Sequence, residues 1–165
     1  MKKRTLLLFV LLVPVLPLCA QYAVGLHSGI NPSFGDETQA LVYDAGLNAC
    51  VDLSAQTFVP SLTLCFSERG VQSLLFALDY WFTNPRIFNS LFKAYVGAGS
   101  GVSVNFTDYS AVCSLCLRAL VGTEFCPVTR LGVFVQLLAQ PQLTFDSKIR
   151  FSFFLPLEVG VRFWF

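Results

Sequence analysis

No apolar stretch in this 165-residue chain reaches the roughly 20 residues that a membrane-spanning helix needs, although Phe, Leu and Val crowd its sequence. A helical membrane protein is thereby excluded, and the hydrophobicity must be arranged in another way. Charge is scarce as well, with 11 basic and 10 acidic residues and no basic patch to track phosphates, so nucleic acid is not an expected partner. Histidine occurs once, at His27, which is too little for a histidine-built metal centre. We expect no metal and no cofactor. Beyond residue 20 there is no linker, low-complexity tract or internal repeat, so residues 21–165 are expected to form one domain.

The first 20 residues read differently. A basic head of Lys2, Lys3 and Arg4 precedes an apolar run from Leu6 to Leu18, and the small Ala20 follows. Pro14 and Pro17 interrupt that run. This is the layout of a secretory signal peptide, cleaved after Ala20. Cys19 only weakly imitates a lipidation site, because the large Leu18 stands where a small residue is wanted. Cleavage removes three of the 11 basic residues and leaves eight against 10 acidic ones, a net charge of about −2.

After residue 20 the dominant pattern has a period of two. Leu41, Tyr43, Ala45, Leu47, Ala49, Val51 and Leu53 share one parity, and Asp44, Gly46, Asn48, Cys50 and Asp52 share the other. Such alternation marks a strand with one apolar and one polar face. It recurs in Leu74–Phe82, in Leu91–Asn105, from Ala111 to Glu124, and most cleanly in Ile149–Phe165. Weaker segments at 22–30, 58–67 and 131–142 bring the total to eight strands. The gaps are turn sequences such as "NPSFGDET", "SAQT", "ERGV" and "FDSK", short enough to make successive strands antiparallel neighbours. The expected fold is all-β: an eight-stranded antiparallel up-and-down barrel that crosses a membrane.

Eight strands enclose little more than their own side chains, so rows of Phe and Leu cannot all point inward. The apolar parity belongs outside, against lipid, and the polar parity inside. The inward set then contains His27, Asp44, Asp52, Asp79, Lys93, Arg118, Glu124, Arg150, Glu158 and Arg162, a lumen-facing polar network in which five acids meet four permanent bases. Such charges are costly unless paired, and Arg162, with Arg118 second, is expected to neutralise Glu124 and Glu158. Phe58, Phe82, Phe92, Phe125, Phe163 and Tyr22 fall at one set of strand ends, and Phe34, Phe66, Phe106, Tyr109 and Phe145 at the other. They are expected to form the two interfacial girdles, with both termini at the first.

The last strand carries Glu158, Gly160, Phe163 and the final aromatic Phe165 at spacings that resemble the C-terminal signal of barrels handed to the bacterial outer-membrane assembly machinery. Glu158 stands where an uncharged or basic residue is more usual. "YVGAGSGVSV" at 95–104 and "ALVGTEF" at 119–125 resemble mid-barrel strands of small eight-stranded outer-membrane proteins, the OmpW-like and OmpA transmembrane-domain-like superfamily. The resemblance implies an integral protein of the cell outer membrane with periplasmic termini. Its partners would be outer-membrane lipid, the barrel assembly machinery during biogenesis and small hydrophobic solutes. The OmpW resemblance implies limited passage of small or hydrophobic molecules; the competing expectation is a structural or adhesin-like surface protein with a plugged barrel.

Enzymatic activity is not expected. His27, Asp44 and Ser28 suggest a hydrolase triad, but Ser28 takes the parity opposite to His27, so the nucleophile points away from its base. Cys113 and Cys116 form a C-x-x-C, yet on a strand they face opposite sides. Pairing across "SAQT" sets Cys50 near Ser61 and Cys65 near Gly46, leaving the two thiols about 13 Å apart. Free thiols are expected. Inward glycines such as Gly25, Gly29, Gly46, Gly97, Gly99 and Gly101 either make room for long side chains or open a narrow passage or lateral crevice.

Overall fold

The computed structural model describes residues 21–34, 41–53, 56–68, 70–82, 86–87, 91–106, 111–146 and 148–165. The proposed signal peptide and Tyr109 lie outside the described residues. The strands are β1 (Gln21–Phe34), β2 (Leu41–Asp52), β3 (Thr57–Ser67), β4 (Gly70–Trp81), β5 (Arg86–Ile87), β6 (Phe92–Phe106), β7 (Ala111–Val128), β8 (Leu131–Phe145), β9 (Ile149–Phe154) and β10 (Leu157–Trp164). All pairings are antiparallel, and the sheet closes because β9 and β10 pair with β8 on one side and β1 on the other. The short β5 adds a rung to β6 outside this path.

The eighth stave is therefore made of two segments, β9 and β10. Pro156 has no N–H to give to the ladder, and the strand is interrupted there. Register survives the gap: Phe154 faces Gln140 and Leu157 faces Leu137, with the same offset. The parity predicted for the whole of 149–165 is kept on both sides of the interruption.

Two registers differ from expectation. Cys65 lies opposite Asp44, and Ser61 opposite Asn48, so the β2–β3 ladder is shifted by two residues. Its pairing runs on to Asp52 and Thr57, and Leu53 N–H donates to Gln56 O at 2.8 Å, which makes the hairpin tighter than the assumed loop. An even shift preserves which side chains face inward. In the β7–β8 hairpin the register slips between Phe125 and Val128, and Glu124 pairs in register with Phe134, while its carboxylate still reaches over Gly132 as expected.

The two faces separate as the alternation requires. Leu26, Leu47, Phe76, Leu117, Val121 and Val159 are exposed on the outer wall, while Asn48, Thr63, Ser114, Arg118, Gln136 and Glu158 are buried inside it. At the end that holds Gln21 and Phe165, the outer wall carries ring contacts between Phe58 and Tyr80, Tyr80 and Phe82, Phe92 and Phe125, and Phe163 and Phe165. At the opposite end Phe34 meets Phe153.

Candidate functional site

The lumen holds the only extensive polar network among the described residues, and its inward glycines explain how large side chains fit. A Cβ at Gly122 would meet the Tyr95 ring, one at Gly160 the Phe134 ring, and one at Gly132 the Glu124 carboxylate. Tyr95 and Phe134 each lie opposite a glycine at their own rung, and Glu124 reaches two residues along β8 to Gly132. These glycines serve filling, not an open bore.

Near the end of the barrel that carries the termini, the filling is dense. The Arg162 guanidinium, 1% exposed, donates from Nη1 to Glu124 Oε2 at 3.0 Å and from Nε to Asn48 Oδ1 at 3.1 Å. Its centre lies 3.6 Å from the Phe134 ring and 5.0 Å from that of Trp81, within cation–π range of both. Trp81 stacks on Tyr95 with centroids 3.9 Å apart. Trp164 Nε1 donates to the other oxygen of Glu124 at 2.6 Å, and Lys93 Nζ lies 3.9 Å from the Trp164 ring centre. Every charge in this layer has a partner, and the layer spans the bore.

Further along the barrel, Tyr95 Oη donates to Gln136 Oε1 at 3.0 Å, and Gln136 Nε2 donates to Glu158 Oε2 at 2.6 Å. Arg118 Nε lies 3.0 Å from Asp79 Oδ1, an ion pair whose N–H is not aligned as a hydrogen bond, and Arg118 Nη2 is 3.9 Å from Glu158. The expected acidic pair is thus divided: Arg162 takes Glu124, and Arg118 is shared between Asp79 and Glu158. Register is the reason, because Glu158 lies opposite Gln136, four rungs, or two inward steps, beyond Gly132.

His27 is buried between Asn48, whose Nδ2 lies 3.3 Å from Nδ1, and Thr63, whose Oγ1 lies 3.1 Å from Nε2. Ser28 is on the exposed face and donates to the backbone O of Asp44 at 2.9 Å, so no hydroxyl nucleophile of that residue meets the imidazole. Asp52 is buried near the end that holds Gln21, its register partner. Cys50, Cys65 and Cys116 are buried free thiols, and Cys113 faces outward.

Arg150 is the correction to the inward set. Its side chain is 56% exposed and pairs with Asp146 at 3.3 Å. Among the described residues the β1–β9 ladder reaches the Phe34–Phe153 rung, and Arg150 lies three residues further along β9, paired in register with Thr144 of β8. Conversely, Trp81, Trp164, Phe134 and Gln136 join the network although polarity alone does not single them out. Parity would have found them: all four occupy inward positions.

No protein-family model matches the chain, and no curated protein matches it. Solved structures do. Neisserial surface protein A aligns at 14% identity and a TM-score of 0.62, over 86% of this chain and 96% of its own. A de novo designed transmembrane β-barrel aligns at 10% identity and 0.54, over 87% and 95%. Ail, the attachment invasion locus protein of Yersinia pestis, solved with the heparin analogue sucrose octasulfate, aligns at 12% identity and 0.50, over 88% and 99%. At these identities the likeness is one of fold.

Proposed function

We propose that this protein is an integral barrel of a bacterial outer membrane, with periplasmic termini and a sealed lumen, that acts through the surface it holds at the membrane rather than as a channel. The carrying observation is the Arg162 layer, where a guanidinium, a carboxylate and stacked rings fill the bore of a barrel too small to leave space beside them. The apolar outer wall supports lipid as its surroundings, since a closed sheet leaves no unpaired backbone in the bilayer. Assembly by the outer-membrane insertion machinery, through Glu158, Gly160, Phe163 and Phe165, belongs to the same reading, and so does the absence of enzymatic activity. Ail's solved complex with a heparin analogue makes sulfated polysaccharide a reasonable first ligand to try here.

Passage of small or hydrophobic solutes is the second reading, favoured by one feature. A hollow of about 740 Å³ lies against β4, β6 and β7, bounded by outward Phe76, Leu78, Val102, Leu115 and Leu117 together with small Ala77 and Gly101. A solute using it would travel along the wall, not through the bore. Planar-bilayer conductance separates the readings when set beside binding of barrel-displaying cells to immobilised host or matrix ligands. The sealed-surface reading expects ligand binding without large channels; large, weakly selective conductance from the unmodified protein overturns it.

A further inference from the structure

Beyond the aromatic layer, β1 and its two neighbours place polar residues and glycines in complementary positions. Gly29 lies opposite Asp44 on β2 and opposite Glu158 on β10. One inward step away, His27 lies opposite Gly46 and Gly160. The His27 ring leans over Gly46, and both oxygens of Asp44 lie over Gly29, toward the Glu158 strand. Donor atoms of His27, Asp44 and Glu158 consequently lie within 4.8 Å of one another, all three residues buried.

Two further observations bear on what belongs there. Asp44 is 3% exposed, yet its Oδ1 has no hydrogen-bond partner; Asn31 Oδ1, one inward step beyond Gly29, has none either. Charge is also out of balance. With Arg150 at the rim, the buried Asp44, Asp52, Asp79, Glu124 and Glu158 face only Lys93, Arg118 and Arg162. Arg162 is committed to Glu124, Lys93 lies over Trp164, and Arg118 is much closer to Asp79 than to Glu158. Two facing carboxylates with so little positive charge beside them repel each other at high cost in a buried site.

We propose that His27, Asp44 and Glu158 form a buried site for a divalent cation, with the borderline ion Zn²⁺ as its occupant. One imidazole with two carboxylates is a donor set for such ions, whereas Ca²⁺ takes six or more oxygens. Metal–ligand bonds of about 2.0–2.2 Å put tetrahedral donors ~3.4 Å apart, so the side chains draw together by an ångström or so, and Gly29 and Gly46 leave the space. Ligation through His27 Nε2 displaces the Thr63 hydroxyl and moves the ring proton to Nδ1. Asn48 Oδ1, which has two lone pairs, then accepts from Nδ1–H as well as from Arg162 Nε after a small rotation, which holds the ring in place. Gln136 already orients Glu158 from the far side. A cavity of about 250 Å³ is lined by Asn31, Cys65, Ser103, Gln140 and Gln142, and Cys65 is the register partner of Asp44, so an ion would reach the site from that side.

The test uses the mature barrel refolded in detergent, stripped with chelator and dialysed against ZnCl₂ or CaCl₂. Wild type is expected to hold one Zn²⁺ per barrel, to bind Ca²⁺ far more weakly, and to melt at a higher temperature with zinc than without. Asp44→Asn and His27→Gln should each weaken zinc binding by ~10-fold or more while the barrel remains heat-modifiable on a gel. Asp44→Asn should also raise the melting temperature of the stripped protein, since it removes one of two repelling charges. An unchanged melting temperature on adding zinc to wild type overturns the site and leaves a proton shared between the carboxylates. Equal zinc binding by wild type and either variant overturns it in favour of the thiols.

Discussion

The two halves of the lumen solve the same electrostatic problem differently. Toward the termini, the charges of Arg162, Glu124 and Lys93 are matched by one another, Asn48 and Trp164 in hydrogen bonds and ring contacts. Toward the other end, Asn31 lines a cavity, and its Oδ1 and that of Asp44 have no hydrogen-bond partner. A fully partnered polar layer behaves as a plug; a partly partnered one beside a cavity has the properties of a binding site. The contrast teaches that buried charge is informative chiefly where it is left over.

Five substitutions sharpen or break this contrast. Arg162→Ala should have the largest effect, because it strands Glu124 in the plug; a loss of ~3–5 kcal/mol is expected in urea unfolding of the refolded barrel. Conductance should rise little, since the rings of Trp81, Tyr95 and Phe134 remain. If instead the variant unfolds like wild type, the plug is not what holds this half together. Next in size, Leu117→Arg on the outer wall should cost ~2–4 kcal/mol if lipid surrounds it as proposed, whereas Gln142→Arg, facing the cavity, should be tolerated far better. Equal costs would mean that the wall has been assigned its faces wrongly. Asn48 is unsuited to that control, because it holds both Arg162 and His27.

Trp164→Phe keeps a ring under Lys93 but removes the indole donor to Glu124, and a cost of ~1–3 kcal/mol is expected in the same unfolding assay. No measurable loss would show Glu124 to be satisfied by Arg162 alone. Arg150→Ala should be the mildest, within ~0.5 kcal/mol, because its pair with Asp146 is solvent-exposed. A larger loss would return Arg150 to the interior network.

Much of the fold was legible because it rests on a local rule. Side chains on a strand alternate, so Leu47 and Asn48, or Phe163 and Arg162, are assigned to opposite faces without knowledge of any partner strand. The same rule fails near the rim: Arg150 pairs in register with Thr144, yet its side chain is exposed and turns to Asp146. Trp164 was overlooked for a different reason, since its chemistry suits a girdle as well as a plug and only its parity distinguishes the two.

Which inward groups meet was not legible. Glu124 and Glu158 look equivalent along the chain, yet the slipped β7–β8 hairpin and the tilt of the staves carry one to Arg162 and the other toward Arg118. His27, Asp44 and Glu158 come from three strands and converge only because β10 returns to close on β1. The sequence by itself determined the eight staves, their apolar and polar faces and most of the contents of the lumen, for these follow from a period of two within one segment. The tertiary structure alone decided the pairing of charges, the plug and the convergence at Gly29, because register and closure depend on every hairpin at once and a shift of two residues changes partners without changing faces.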